Sequence, residues 1–240
     1  MSTQSPRLYV DAPLKAGAVF DAPADQAHYL IHVLRLKEGD HVRLFNGHDG
    51  EWQAEVSAAK KKTCVLKIGR QLIPQTVPED IFYLFAPIKH ARLDYMAQKA
   101  TEMGASNLMP VLTQNTQVTR VNLERLRANA IEAAEQCNLL SVPKVHEPQT
   151  LDEVLAGWHA ERALIFCHES AEEKSPFDDL RKLRGKPCAV LVGPEGGFTK
   201  NERDKLLSAS YTLPISLGPR ILRADTAAVA ALAMLWLSRA

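Results

Sequence analysis

The C-terminal third of this sequence offers main-chain chemistry. An apolar run, Cys188-Ala189-Val190-Leu191-Val192, breaks abruptly into Gly193-Pro194-Glu195-Gly196-Gly197-Phe198. The run reads as a buried strand. Pro194 fixes φ and carries no N–H, and the glycines admit backbone angles that other residues avoid. Such a loop at the carboxyl end of a strand exposes N–H and C=O groups to a closely approaching ligand. Open α/β sheets bind ligands at that end. A second exit of the same kind follows: Pro214-Ile215-Ser216-Leu217-Gly218-Pro219-Arg220-Ile221-Leu222-Arg223 leaves an apolar strand and enters an Ala-rich helix, Asp225–Leu237. Two such exits predict one pocket built from both.

The Gly193–Gly197 loop is neither G-x-x-x-x-G-K-[ST] nor G-x-G-x-x-G, so it predicts no P-loop and no dinucleotide fingerprint. By spacing alone an ordinary tight turn is an equal reading. Three side chains beside the loops can do chemistry. Arg223 can meet negative charge, or serve as a structural ion-pair partner. Glu195 and Asp225 can accept a proton or fix an arginine. Equally, Glu195 can cap the helix near Thr199, and Asp225 and Thr226 can be ordinary N-cap residues. His28 and His32 stand one helical turn apart, but no Cys or carboxylate at ligand spacing makes them a metal site.

The elements that position these residues belong to a chain of 240 residues, 46% apolar and 24% charged, with net charge +1. That balance excludes nucleic-acid binding through bulk charge; if RNA is the partner, basic residues must be gathered locally. No apolar run reaches the roughly 18 residues of a membrane helix, and residues 1–13 lack a signal-peptide pattern. Cys64, Cys137, Cys167 and Cys188 are scattered and suit reduced thiols in the cytoplasm.

Residues 7–10 and 18–20 read as short strands, and Ala24–Leu36 as a helix with Ala27, Leu30, Ile31 and Leu34 at helical spacing. Strands are predicted at 42–45, 52–56 and 63–68, joined by the turn-rich 46–50 loop and by Lys60-Lys61-Lys62. This is a small β-rich barrel with one helix. Gln71–Asp80, with two prolines, reads as a linker. Beyond it strands at 81–85, 108–112, 163–167, 188–192 and 213–217 alternate with helices from Leu93 to Met103, 121–138, 150–155, 201–209 and 225–237. Gly104 is a plausible C-cap. Alternation of this kind predicts a mainly parallel sheet. The expected division is 1–73 and 74–240.

The phrases Leu191-Val192-Gly193-Pro194-Glu195-Gly196-Gly197-Phe198 and Leu217-Gly218-Pro219-Arg220-Ile221-Leu222-Arg223-Ala224-Asp225-Thr226-Ala227-Ala228 closely resemble the signature of the RsmE family. These are small-subunit ribosomal RNA uridine-N3 methyltransferases of the SPOUT superfamily. His32-Val33-Leu34-Arg35-Leu36 with Gly39-Asp40, Gln98–Gly104 and Glu132–Gln136 agree in order. The resemblance spans nearly the whole chain. It departs at Cys137-Asn138-Leu139-Leu140, where the family usually has a small residue and then Gly-Arg, and at Asp225, where Glu is common.

The resemblance implies an α/β SPOUT domain with a deep trefoil knot over residues 74–240 and a PUA-like β-barrel over 1–73. It implies S-adenosylmethionine held by Val192, Gly193, Pro194, Gly196, Gly197, Leu217, Gly218, Arg220, Ile221, Leu222 and Thr226. Arg223, Glu195 and Asp225 are the catalytic candidates, and no metal is expected. The substrate class is 16S ribosomal RNA of the small subunit, met by Arg7, Arg35, Arg43, Lys60, Lys61 and Lys62. A homodimer acting in the cytoplasm is expected. A sister activity on another RNA position, or a non-catalytic RNA-binding assembly factor, is the alternative; the 137–140 turn favours the latter.

Overall fold

A computed structural model describes residues 5–118, 120–168 and 175–239. The chain divides into two compact units: residues up to Val77 together with Ala134–Ser141, and Pro78–Ala133 with Val142 onward.

The first unit holds β1 (Arg7–Tyr9), β2 (Val19–Asp21), α1 (Ala24–His28), β3 (His41–Phe45), β4 (Glu51–Lys60) and β5 (Thr63–Ile73). They form a five-stranded sheet in the order β1-β3-β4-β5-β2. All pairs are antiparallel except β1 with β3. Val42, Leu44, Ala54, Val56, Leu66 and Ile68 alternate inward and pack on Ala27 and Leu30, the period-2 pattern of a half-buried sheet. The expected helix 24–36 is not continuous. After α1 the chain widens into a π-helical turn, Tyr29–Val33, closed by Leu34 N–H donating to the Tyr29 carbonyl at 2.9 Å. Arg35 ends it at φ +58°, a left-handed angle that a non-glycine residue adopts at some cost. Strand β5 runs to Ile73, three residues into the stretch read as linker.

Two of the expected RNA contacts are corrected here. Arg7 and Arg43 are partners on parallel β1 and β3, so they share a face, and both meet the buried carboxylate of Glu51. Arg7 Nε donates to Glu51 at 2.6 Å and Arg43 Nη1 at 3.2 Å. Arg7 also donates to the carbonyls of Ala134, Glu135 and Leu139 and lies 4.3 Å above the Phe45 ring. Its side chain is 2% exposed. These guanidiniums bind the unit together and present no free charge to a phosphate. Arg35, Lys60, Lys61 and Lys62 are exposed. In the atypical turn, Asn138 takes φ +56°. Asn is the ordinary stand-in where a glycine would relieve that angle.

The second unit comprises β6 (Ile81–Phe85), α2 (His90–Glu102), β7 (Asn107–Leu112), α3 (Leu123–Gln136, whose last turn lies in the first unit), β8 (Lys144–Val145), β9 (Gln149–Thr150), α4 (Leu151–Ala156), β10 (Ala163–Cys167), α5 (Phe177–Arg181), β11 (Cys188–Val192), α6 (Lys200–Ser208), β12 (Thr212–Ile215) and α7 (Ala224–Arg239). The strands run in the order β12-β10-β11-β6-β7-β8, with β9 also on β7, and every pair is parallel. Strand β11 is buried along its whole length. Cys188, Val190 and Val192 pack on one face with α2 and α7, and Ala189 and Leu191 on the other with Phe166, Phe198 and Leu206. Burial on both faces explains the unbroken apolar run. Helix α7 packs on α2, α5 and β11. Strands β8 and β9 and helix α5 are too short for periodicity to reveal.

Candidate active site

Strand order brings the two glycine-bearing loops together. The expected last strand stops at Ile215, so residues 216–223 are all free to form the wall opposite Gly193–Gly197. Strands β10, β11 and β12 end side by side, and beyond their carboxyl ends lies a cavity of about 360 Å³. That is within the range of small-molecule sites, roughly 300–1,000 Å³. Its wall takes Val192, Gly193, Pro194, Glu195 and Gly197 from one loop and Leu217, Gly218, Arg220, Ile221, Leu222 and Arg223 from the other. Cys167, His168, Phe198, Arg203 and Ala227 also line it. Of the expected site residues, Gly196, Thr226 and Asp225 are not on the wall. Thr226 is exposed, and its N–H donates to Asp225 Oδ1 at 2.9 Å.

Each loop has its own local cause. Residues 194–197 form a tight turn closed by Gly197 N–H on the Pro194 carbonyl at 2.9 Å. Gly197 takes φ +65°. Asn115, on a turn after β7, donates to the carbonyls of Gly196 and Gly197, both at 3.0 Å. At Gly218, φ is +103° and, its chain neighbours aside, no atom of the described residues lies within 4 Å of the position a Cβ would take, so a ligand can approach that main chain.

Thr199 caps α6 through a capping box whose acid is Glu202, not Glu195. Glu202 is 4% exposed. It accepts from Thr199 N–H and from Gln114 N–H, both at 2.8 Å, which ties the turn after β7 to α6. Glu195 is left half exposed, facing Arg92 Nη1 of α2 at 3.6 Å. Asp225 Oδ2 faces Arg92 Nε at 3.9 Å. Burial pushes the Cys167 thiol up to about 12. Burial likewise raises Tyr83 on β6 well above the usual phenol, with Cys167 and Asp225 adding to it. The Tyr83 hydroxyl has no hydrogen-bond partner among the described residues.

Sequence reasoning missed Arg92, Asn115, Arg203 and His168. Arg203 Nη1 donates to the Phe198 carbonyl at 2.8 Å and so braces the first loop. The His168 ring stacks on Phe166, with centroids 5.2 Å apart. No signal in the spacing marks these residues, because each reaches the site from a separate element. Rings of His28 and His32 stand 4.8 Å apart, and among the described residues no group of three or more His, Cys, Asp or Glu is placed to hold a metal ion.

A family model for an RNA methyltransferase domain matches residues 75–236, and one for an RNA methyltransferase PUA domain matches residues 23–69. An RNA methyltransferase with an accessory PUA domain is therefore the class that this fold and cleft define. The ribosomal RNA small subunit methyltransferase E of Rickettsia conorii is 34% identical over 229 residues, 95% of this chain and 93% of that protein. A Neisseria gonorrhoeae ribosomal RNA small subunit methyltransferase E, solved with S-adenosylmethionine bound, superposes with TM-score 0.81 at 26% identity, covering 96% of each chain. A Legionella pneumophila methyltransferase, solved in complex with the same cofactor, gives TM-score 0.84 at 27% identity over 97% of each. The chain belongs to the ribosomal RNA small subunit methyltransferase E family.

Proposed function

We propose that this protein transfers a methyl group from S-adenosylmethionine to N3 of a uridine in 16S ribosomal RNA. The observation that carries the reading is the convergence of the 193–197 and 216–223 loops on one cavity at the carboxyl end of a parallel sheet. The residues present fit that cofactor. Gly218 leaves main chain open to a heterocycle edge, Phe198, Leu217, Ile221 and Leu222 offer apolar surface, and Glu195 offers a carboxylate to positive charge.

When bound, the cofactor supplies an activated methyl group on a sulfonium. The protein's part is alignment and charge stabilisation. Uridine N3 is a weak nucleophile until its imide proton leaves. Arg223, exposed at the cavity wall, is assigned to stabilise the resulting anion on the uracil oxygens. Of the two carboxylates only Glu195 is on the wall, so Glu195 is the one that can meet the imide proton. Asp225, held by the Thr226 N–H and facing Arg92, is assigned to the loop's support.

The division of labour follows: residues 1–73 bind RNA through Arg35 and Lys60–Lys62, and residues 74–240 bind cofactor and catalyse. We read the C-terminal segment as a trefoil knot. The family membership supports this. A homodimer acting on small subunits in the cytoplasm completes the proposal. Half-exposed Trp236 and Leu237 on α7 offer apolar surface for the second copy.

The test has two arms. Isothermal titration with S-adenosylmethionine should show one site per chain. Small subunits from cells lacking the protein should accept labelled methyl at uracil N3, whereas naked RNA accepts little. A chain that binds no cofactor is no methyltransferase, and label on a ribose or another base overturns the N3 assignment.

A further inference from the structure

Arg92 stands in the first turn of α2, where the helix macrodipole disfavours a cation. That turn contains no acid, its N-cap is Lys89, and no side chain caps it. Local helix rules alone would not place an arginine there. Its charge is answered from elsewhere in the fold. Glu195, from the first loop, lies 3.6 Å from Nη1, and Asp225, in the first turn of α7, lies 3.9 Å from Nε. The first loop of the cavity wall and the helix that leaves the second thus each contribute one carboxylate to one guanidinium. The Arg92 side chain is itself 41% exposed, and both separations are loose. Exposed ion pairs of this kind contribute little to global stability. A weak, solvent-screened bridge between the first loop and the start of α7 suits a link that opens and closes while the fold persists.

We propose that Arg92 is a positioning residue that latches the 193–197 loop to the start of α7. It thereby sets how far the cleft opens and where the Glu195 carboxylate points. Helix α2 is braced from its other side by Asp94, bidentate to Arg125 of α3, and by Gln98 on Asn129. The latch is therefore mounted on a fixed support, and loop motion is what it restrains. Neither acid needs to leave its own element for the guanidinium to release it.

The experiment uses the full chain and the variants Arg92→Lys, Arg92→Met and Arg92→Glu. Amide hydrogen exchange is read without ligand at Glu195–Gly197 and Leu217–Arg223, at low salt and at about 1 M salt, where the Debye length is roughly 3 Å. The latch predicts exchange about twofold to fivefold faster in Arg92→Met than in the parent at low salt, the range of an exposed pair. Arg92→Lys should stay near the parent and Arg92→Glu should be fastest. The differences should collapse at high salt. Equal exchange in parent and Arg92→Met, equal loss in Lys and Met variants, or salt independence overturns the proposal.

A second arm titrates S-adenosylmethionine into the same proteins and rests on the function proposed above. Affinity should fall in the same charge order. If the parent binds no cofactor, that function fails while the exchange result still decides the latch. If the parent binds and Arg92→Met binds equally well, the latch has no role in the cleft and the proposal falls.

Discussion

A Cβ placed on Gly193 would stand 2.5 Å from Cε2 of Phe198. The ring cannot simply move aside. It is 8% exposed and meets Phe166 edge-on with centroids 5.2 Å apart. The glycine at the end of β11 is thus required by packing under the loop, in addition to whatever a ligand requires above it. Gly193→Ala should cost about 1–3 kcal/mol of stability, the usual range for overpacking, measured by urea denaturation. Adding Phe198→Leu should recover part of the loss. Full stability in Gly193→Ala would mean the loop relaxes freely.

Much of the second unit was legible because its central strands are buried on both faces and its helices carry apolar stripes. The two loops stood out through glycine and proline. What stayed hidden depends on register and on long-range pairing. Arg7 and Arg43 read as surface cations until β1 and β3 are set side by side and Glu51 is placed opposite them. Arg92 reads as one more charge on a solvent face until Glu195 and Asp225 arrive from residues more than a hundred positions later. The return of Ala134–Ser141 to the first unit has no compositional mark; Arg7 holds it through main-chain carbonyls and Glu135 accepts from Tyr9 N–H, partners that only the fold brings together. The Thr199-x-x-Glu202 capping box is readable from spacing alone, and it assigns the cap to Glu202 rather than Glu195.

Arg7 and the lysine turn should separate cleanly in experiment. Arg7→Ala leaves Glu51, 1% exposed, with only Arg43 for a side-chain partner among the described residues. Breaking a buried pair this way costs about 3–5 kcal/mol, read by thermal or urea unfolding. Replacing Lys60, Lys61 and Lys62 with Gln should leave stability within about 0.5 kcal/mol. It should weaken RNA binding and flatten the log–log salt slope by about 0.7 for each single-strand phosphate that the turn no longer neutralises. An unchanged salt slope in the triple variant would remove that turn from the RNA surface.

The thiols predict an alkaline limit. Burial raises Cys188 to about 11 from an ordinary value of 9.0; Cys167 is raised too, but it is only half-buried and lines the open cavity, so Cys188 carries the expectation. The folded chain therefore keeps this proton where the unfolded chain loses it. Its contribution is fully present below pH 9 and declines as pH rises toward the folded value. The thiol lowers stability by up to about 1.4 kcal/mol per pH unit in that window. Unfolding midpoints from pH 8 to 11 should show the fall, and Cys188→Ala should have a lower starting stability but a shallower slope. Exposed Cys137 should be the first thiol labelled in the native protein.

Glu202 offers a test of how the first loop is held from behind. Its carboxylate accepts the N–H groups of Thr199 and Gln114 and the Thr199 hydroxyl, so one buried acid closes the α6 cap and anchors the turn that carries Asn115. Glu202→Gln keeps the shape but turns one acceptor oxygen into a donor, which has to face an N–H. Loss of a cap costs about 0.5–2 kcal/mol, and leaving a buried donor unsatisfied about 1–3 kcal/mol. Asn115→Ala removes only the two bonds to Gly196 and Gly197 and touches neither cap nor core. The expected pattern is a clear loss of global stability in Glu202→Gln and a small one in Asn115→Ala. Both variants should bind S-adenosylmethionine more weakly, because both release the same turn. If Asn115→Ala binds as well as the parent while Glu202→Gln does not, the acid acts through the fold alone and the turn needs no outside support.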